Sequence, residues 1–344
     1  MKDLIIIGAG PAGISAAYEA NKLDLNYLVI EKNLIGNTIY NYPIGLTVFS
    51  TVNELELLPN TLKPAREKPT REELLSYYTR FVLENELNVQ WEEEVLKVEK
   101  LGENHFRVIS AKGEYEARTV LFAFGAMEYP RHLGAKGEDL PKVHHLFRET
   151  YPYVKKNAMV IGGGNSAGEA ALFLSEEGAN AILCIFRNDW ENNDPKQGCI
   201  KYWVKQPLEN QLKKDCLNVY FLNRVVEIKE KEIILENENG EIETFPNDVV
   251  FILIGSDADL TMLKNLGVET RKTKHGEIPV YDQETFETNI AGVYVVGHFT
   301  EARHIVGAID VPKKIIPKLA AKLNLFAHEI YERNKKKTET KIGI

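Results

Sequence analysis

The chain opens on an unbroken apolar run, Leu4-Ile5-Ile6-Ile7, which stops at Gly8. A run this short, rich in β-branched residues and closed by glycine, reads as a strand. The small-residue stretch Ile14 to Leu23 then predicts a helix, and Tyr27-Leu28-Val29-Ile30 a second strand. The same succession returns later: a run ending at Ile161, a helix over Gly168 to Glu177, and a strand over Ala181 to Phe186. Each is a βαβ unit, with a crossover long enough to join two parallel strands.

Between the two units, Thr70-Arg71-Glu72-Glu73 has the capping-box pattern, with Thr70 as N-cap and Glu73 three places on. It predicts a helix to about Glu84, its apolar face made of Leu74, Leu75, Tyr78, Phe81 and Val82. Strands follow over Val89 to Val98, His105 to Ser110, Glu114 to Ala117 and Thr119 to Phe124, as a meander that ends in the parallel sheet and is closed by Gly125. Prolines and glycines gather from Pro130 to Pro141 and suggest a linker. After Val249 to Ile254 come a β run over Gly292 to Gly297 and a last helix from about Val311 to Arg333. The expected fold is α/β: two Rossmann-like three-layer domains, one inserted into the other. The outer domain takes 1–125 and 256–344, the inserted one 126–255.

Composition narrows the function. With 344 residues, 44% hydrophobic and 27% charged, the chain can bury a sizeable core. A net charge of −8 argues against nucleic acid as a partner. Three cysteines with no CxxC exclude a disulfide scaffold and a dithiol redox motif, and they suit a reducing cytoplasm. No stretch nears the ~20 apolar residues of a membrane span, and Leu4–Ile7 is too short for a signal-peptide core. His144-His145 has no ligand spacing to partners, so no metal site is expected.

The chemistry lies in the two glycine-rich turns. Gly8, Gly10 and Gly13 match G-x-G-x-x-G, with Pro11 and Ala12 inside the motif. The first glycine permits the tight turn, the second lets backbone approach a pyrophosphate, and the third lets helix and strand pack closely. The helix N-terminus then offers free N–H groups and partial positive charge to the diphosphate. Glu31, at the end of the next strand and roughly 20 positions on, is placed to accept from ribose hydroxyls. The second turn, Gly162-x-Gly164-x-x-Ala167 with Asn165 and Ser166, has Arg187 where the first has Glu31. Arginine pairs with a ribose 2′-phosphate that a carboxylate would repel. The pair therefore reads as FAD in the first cradle and NADPH in the second, with hydride passing from nicotinamide to flavin.

These residues resemble the two-dinucleotide-binding flavoproteins of the thioredoxin-reductase-like branch. Within it, Glu31-Lys32, the stretch Asn37 to Pro43, Thr47 to Thr51, and Ile200 to Val204 with Pro207 are similar to the bacillithiol disulfide reductase family. The resemblance implies an enzyme that carries FAD, takes electrons from NADPH and reduces a low-molecular-weight disulfide. It implies contacts to FAD from Gly8, Gly10, Gly13, Glu31, Lys32 and Asn37, with Phe49, Ser50 and Thr51 near the isoalloxazine and Gly125 beside the diphosphate. NADPH contacts fall on Gly162, Gly164, Asn165, Ser166, Ala167 and Arg187, and a homodimer is common in the branch. Three departures stand out. The cysteine usual between proline and glycine in the first turn is Ala12, and the inserted domain has no CxxC. The superfamily's later Gly-Asp pair reads Gly297-His298, and the bacillithiol disulfide reductase family also lacks that Asp.

Other groups keep two readings. His298 either touches the cofactor or caps a strand end, and Arg303-His304 either binds an anionic acceptor or lines a loop. Cys184 reads as inert packing and Cys216 as surface. Cys199 is the remaining thiol able to act, though a plain loop cysteine is the simpler reading. Trp190, Tyr202 and Trp203 flank the predicted NADPH loop, and one of them could stack on nicotinamide or flavin. The acceptor is therefore a small disulfide or a redox protein. The alternatives are a diaphorase or ferredoxin–NADP reductase that needs no cysteine, and a nucleotide-binding redox sensor.

Overall fold

The computed structural model describes residues 1–127, 129–186, 190, 200–273 and 276–342, with side chains to residue 324. It divides into two units. The first holds Met1–Tyr40, Gly45–Ala126 and Ala258–Ile344, and the second Asn41–Ile44 and Met127–Asp257. The brief departure of Asn41–Ile44 from the first unit is absent from the expected segmentation.

In the first unit, strands Val89–Gln90, Tyr27–Ile30, Lys2–Ile7 and Glu114–Phe122 lie side by side in parallel. Val293–Val295 adds a further parallel strand against residues 120–122. The other half of Glu114–Phe122 pairs antiparallel with His105–Ser110, which pairs in turn with Val95–Gly102. Glu114–Phe122 is one strand rather than the two expected, because Arg118 does not interrupt the ladder. The core beneath it joins Ile5, Ile7, Leu28, Ile30, Val120, Phe122, Val293 and Val295. Helix Pro11–Lys22 begins at the first glycine turn and packs against the C-terminal helix, Ile305–Ile342.

Two helices show how local sequence is read. Arg71–Glu84 starts as the capping box predicts: the Glu73 N–H donates to Thr70 Oγ1 at 3.2 Å, and the Thr70 N–H donates to Glu73 Oε2 at 2.9 Å. The C-terminal helix starts at Ile305 instead of near Val311, which places Pro312 and Pro317 inside it. A start at Val311 would put Pro312 in the first turn, where its missing N–H costs nothing. Packing along helix Pro11–Lys22 overrides that local preference.

In the second unit, strands Leu217–Ile228, Asn180–Ile185, Asn157–Ile161, Val249–Ile252 and Val143–His144 run parallel in that order. Glu232–Asn237 and Ile242–Pro246 extend the Leu217 edge antiparallel. Helix Asn165–Glu176 crosses from Asn157–Ile161 to Asn180–Ile185. Met159, Ile161, Cys184, Val250 and Ile252 share its core. The Pro130–Pro141 stretch, expected as a linker, falls within this unit.

Candidate cofactor-binding sites

In both units the chemistry sits at the carboxyl ends of the parallel strands, where open α/β sheets bind ligands. Gly8 follows Ile7 with φ +108, and a Cβ there would meet the Ala123 carbonyl oxygen at 2.9 Å. A Cβ on Gly13 would lie 1.9 Å from the Gly8 carbonyl oxygen, so helix and turn touch backbone to backbone. Gly10, by contrast, faces open space within 4 Å of where its Cβ would stand, at the N-cap of helix Pro11–Lys22. The three glycines therefore divide the work as the motif requires: two are sterically obligatory, and the middle one leaves the helix N-terminus uncovered for an anion.

Glu31 is buried, and its Oε2 accepts from the Ala9 N–H at 2.7 Å. Its Oε1 accepts from the Asn33 N–H at 2.8 Å. The carboxylate is thus fixed beside the glycine turn. The Gly36 N–H donates to the Ala9 carbonyl at 2.9 Å, which brings the start of helix Asn37–Tyr40 to the same place. The Cβ position of Gly125 lies 3.2 Å from Thr38 Oγ1, and that of Gly297 (φ +101) lies 3.5 Å from Ala12 Cβ. Gly8, Ala12, Gly13, Glu31, Asn37, Gly125 and Gly297 are therefore gathered around one turn. Lys32 and His298, both half-buried, follow Glu31 and Gly297 directly. Phe49, Ser50 and Thr51 belong to another piece of backbone, where the Thr51 N–H donates to Glu54 Oε2 at 2.8 Å and opens helix Val52–Leu55.

The second turn repeats the pattern. The Gly162 N–H donates to the Cys184 carbonyl at 2.9 Å, as the Gly8 N–H does to that of Ile30 at 2.8 Å. Gly162 has φ +151, and its Cβ would fall 2.3 Å from the Leu253 carbonyl oxygen. Gly164 is the N-cap of helix Asn165–Glu176, again with open space around its Cβ position. Asn165 Oδ1 accepts from the Lys201 N–H at 2.9 Å. Ser166 and the buried Ala167 complete the turn. Arg187 and Cys199 lie outside the described residues. Cys184 is buried beside Met159, with its Sγ 3.0 Å from the sulfur, and burial pushes the thiol far up. Cys216 is exposed.

Sequence reading missed Glu169. It stands at the same offset from Gly162 as Ser15 does from Gly8. Ser15 is buried and donates to the Ile309 carbonyl at 2.7 Å. Glu169 is 7% exposed, and its Oε1 has no hydrogen-bond partner among the described residues. Burial pushes its carboxyl up to about 7, against the pull of Lys201. Its charge also adds to the burial that raises the Tyr42 phenol. The available signal was an acid set among Ala170, Ala171, Leu172 and Leu174 on a helix that otherwise reads as buried.

Residues 5–297 match the pyridine nucleotide-disulphide oxidoreductase family. The chain belongs to that family. Its bacilliredoxin reductase Bdr from Bacillus subtilis (strain 168) is 36% identical over 293 residues, 85% of this chain and 88% of that protein. The bacillithiol disulfide reductase Bdr of Staphylococcus aureus superposes with a TM-score of 0.87 at 34% identity, over 93% of this chain and 98% of that one. A ferredoxin–NADP reductase from Ignicoccus hospitalis is 28% identical over 309 residues, 88% of this chain and 91% of that protein. As a pyridine nucleotide-disulphide oxidoreductase, the chain is an enzyme whose cofactors are FAD and NADPH. The two turns fit such groups: each pairs at least one obligatory glycine with an uncovered helix N-terminus. No helix of the described residues is long and apolar enough to cross a membrane.

Proposed function

We propose that the chain is a cytoplasmic NADPH-dependent flavoenzyme that reduces a low-molecular-weight disulfide, with NADPH and a solvent proton converted to NADP⁺ and two thiols. The observation that carries this reading is the duplicated turn, with glycines that nothing larger could replace next to helix ends left open. When bound, FAD supplies a two-electron carrier between nicotinamide and acceptor. The chain's own part begins at Gly10 and Pro11, where the helix N-terminus receives the diphosphate. Glu31, held by the Ala9 N–H, turns its remaining acceptor capacity toward ribose hydroxyls. Asn165, Ser166 and the amides that follow Gly164 receive the second diphosphate, and Arg187 selects the 2′-phosphate.

Ala12 favours a second reading. With a methyl group where the family's relatives commonly place a thiol, the chain has no sulfur in the first turn for disulfide exchange. A ferredoxin–NADP reductase activity needs none, and a protein of that name is among the similar chains. A nucleotide-binding sensor is a third outcome. Anaerobic NADPH should bleach the flavin band of the yellow holoenzyme. Reoxidation by bacillithiol disulfide supports the first reading, reoxidation by ferredoxin alone supports the second, and no bleaching defeats both. Arg187→Ala should raise the KM for NADPH at least about tenfold while leaving that for NADH in place. An unchanged preference removes Arg187 from the site. Size-exclusion chromatography tests the homodimer that the resemblance implies.

A further inference from the structure

Away from both glycine turns, the segment from Arg131 to His145 folds back on one carboxylate. Glu138 is almost enclosed, with a side chain 9% exposed. Its Oε1 accepts from the Leu133 N–H at 3.1 Å, and its Oε2 from the Gly134 and Ala135 N–H groups at 2.8 and 3.2 Å. These bonds fix the carboxylate in place and leave it lone pairs to spare. Two imidazoles converge on the same Oε1: His132 Nδ1 at 3.1 Å and His145 Nε2 at 3.7 Å. The two rings meet edge to face with centroids 4.5 Å apart. One ligand atom from each of the three residues lies within 4.8 Å of the others.

A hydrogen bond accounts for the contact of His132 with Glu138, but none accounts for His145. His145 Nε2 stands beyond hydrogen-bond range of the carboxylate, and the buried Nδ1 of the same ring has no partner. A largely buried imidazole is thus held next to a carboxylate without bonding to it. Ion pairs to Glu138 among the described residues come from imidazoles and from no lysine or arginine. The spacing is that of a metal's donor atoms. Arms of 2.0–2.1 Å in a tetrahedron put ligand atoms about 3.3 Å apart; the two separations from Glu138 Oε1, 3.1 and 3.7 Å, fall on either side of that value, and the two imidazole nitrogens lie within 4.8 Å of each other.

We propose that His132, Glu138 and His145 form a binding site for a divalent transition-metal ion of zinc's type. The donor set of two imidazoles and one carboxylate suits zinc, and three protein ligands leave a fourth position for water on the side where His132 is exposed. The ion would tie the residue that follows strand Val143–His144 to the loop before that strand, clipping the early part of the second unit.

The test uses the full-length, untagged holoenzyme, stripped with chelator and dialysed against Zn²⁺ with a chromophoric competitor. The expected result is one zinc per chain, with a thermal transition that rises with free Zn²⁺. His132→Ala, at an exposed position where folding is not at stake, should weaken zinc binding by at least about 10–100-fold. His145→Gln should do the same while flavin content and circular dichroism stay as in the wild type. Zinc bound equally by the wild type and by the His132→Ala/His145→Gln double variant would overturn the site, and would point to the cysteines instead. Wild-type protein that retains no zinc against the competitor would also overturn it.

Discussion

The two glycine turns follow one plan and differ in how completely they are closed. In the first, the third motif glycine is obligatory, because a Cβ on Gly13 would stand 1.9 Å from the Gly8 carbonyl. In the second, that place is held by Ala167, whose Cβ comes 3.0 Å from where one would stand on Gly162. The first turn has an acid at its strand end, bonded to the Ala9 N–H, and a serine satisfied by the Ile309 carbonyl. The second has a buried acid, Glu169, with an oxygen that no described residue satisfies. The same backbone device thus supports one cradle in which Glu31 and Ser15 bond within the protein and another in which an oxygen of Glu169 finds no partner among the described residues. Buried polar groups without partners cost about 1–3 kcal/mol each, so an orphan of this kind calls for a compensating role, such as contact with a bound group.

The contrast can be broken most sharply at its tightest contact. Gly13→Ala forces backbone against backbone, and should destabilise the first unit by about 3 kcal/mol or more and give colourless protein. Ala167→Gly at the matching place should cost only about 1 kcal/mol, the helix propensity difference, and leave the protein yellow. Equal losses in the two variants, read by thermal melts and flavin absorbance, would show that the turns are not differently closed.

Next in size is the acid of the second turn. With its folded pKa near 7 against an ordinary 4.5, Glu169 keeps a proton in the folded chain that the unfolded chain has released. Its contribution to stability is therefore fully present below about pH 4.5 and is lost as pH rises through 7, amounting to about 3 kcal/mol. Glu169→Gln should flatten the fall in thermal stability between pH 5 and 8. A wild-type slope retained in the variant would assign it to another group.

The smallest effect sharpens the first turn. Glu31→Gln removes the charge from the acceptor of the Ala9 N–H and should weaken flavin binding roughly 10- to 100-fold, measured by flavin release in mild denaturant. A glutamine that held flavin as tightly would mean that Glu31 serves the turn's shape alone.

Much of this was legible in the chain. Apolar runs stopped by glycine located both βαβ units, and Thr70 with Glu73 marked a helix start that the structure reproduces. The elements missed were decided by distant partners. Pro312 and Pro317 sit inside a helix because that helix lies along Pro11–Lys22, a contact far removed in sequence. Phe122 ends a continuous strand because two different neighbours share its length. At the sites, motif spacing reached Gly8, Gly13 and Glu31, since their relation is local. It could not reach Glu169, whose importance comes from burial, nor the meeting of His132 with His145, which a loop brings about.

The strand Val293–Val295 closes the first sheet against residues 120–122, which were made more than half a chain earlier. A nascent polypeptide emerging from the ribosome can therefore complete the inserted unit while the outer one still lacks its last strand and the long helix that covers Pro11–Lys22. Synthesis itself orders assembly: the second cradle can be finished before the strand and the long helix that seal the first have been made.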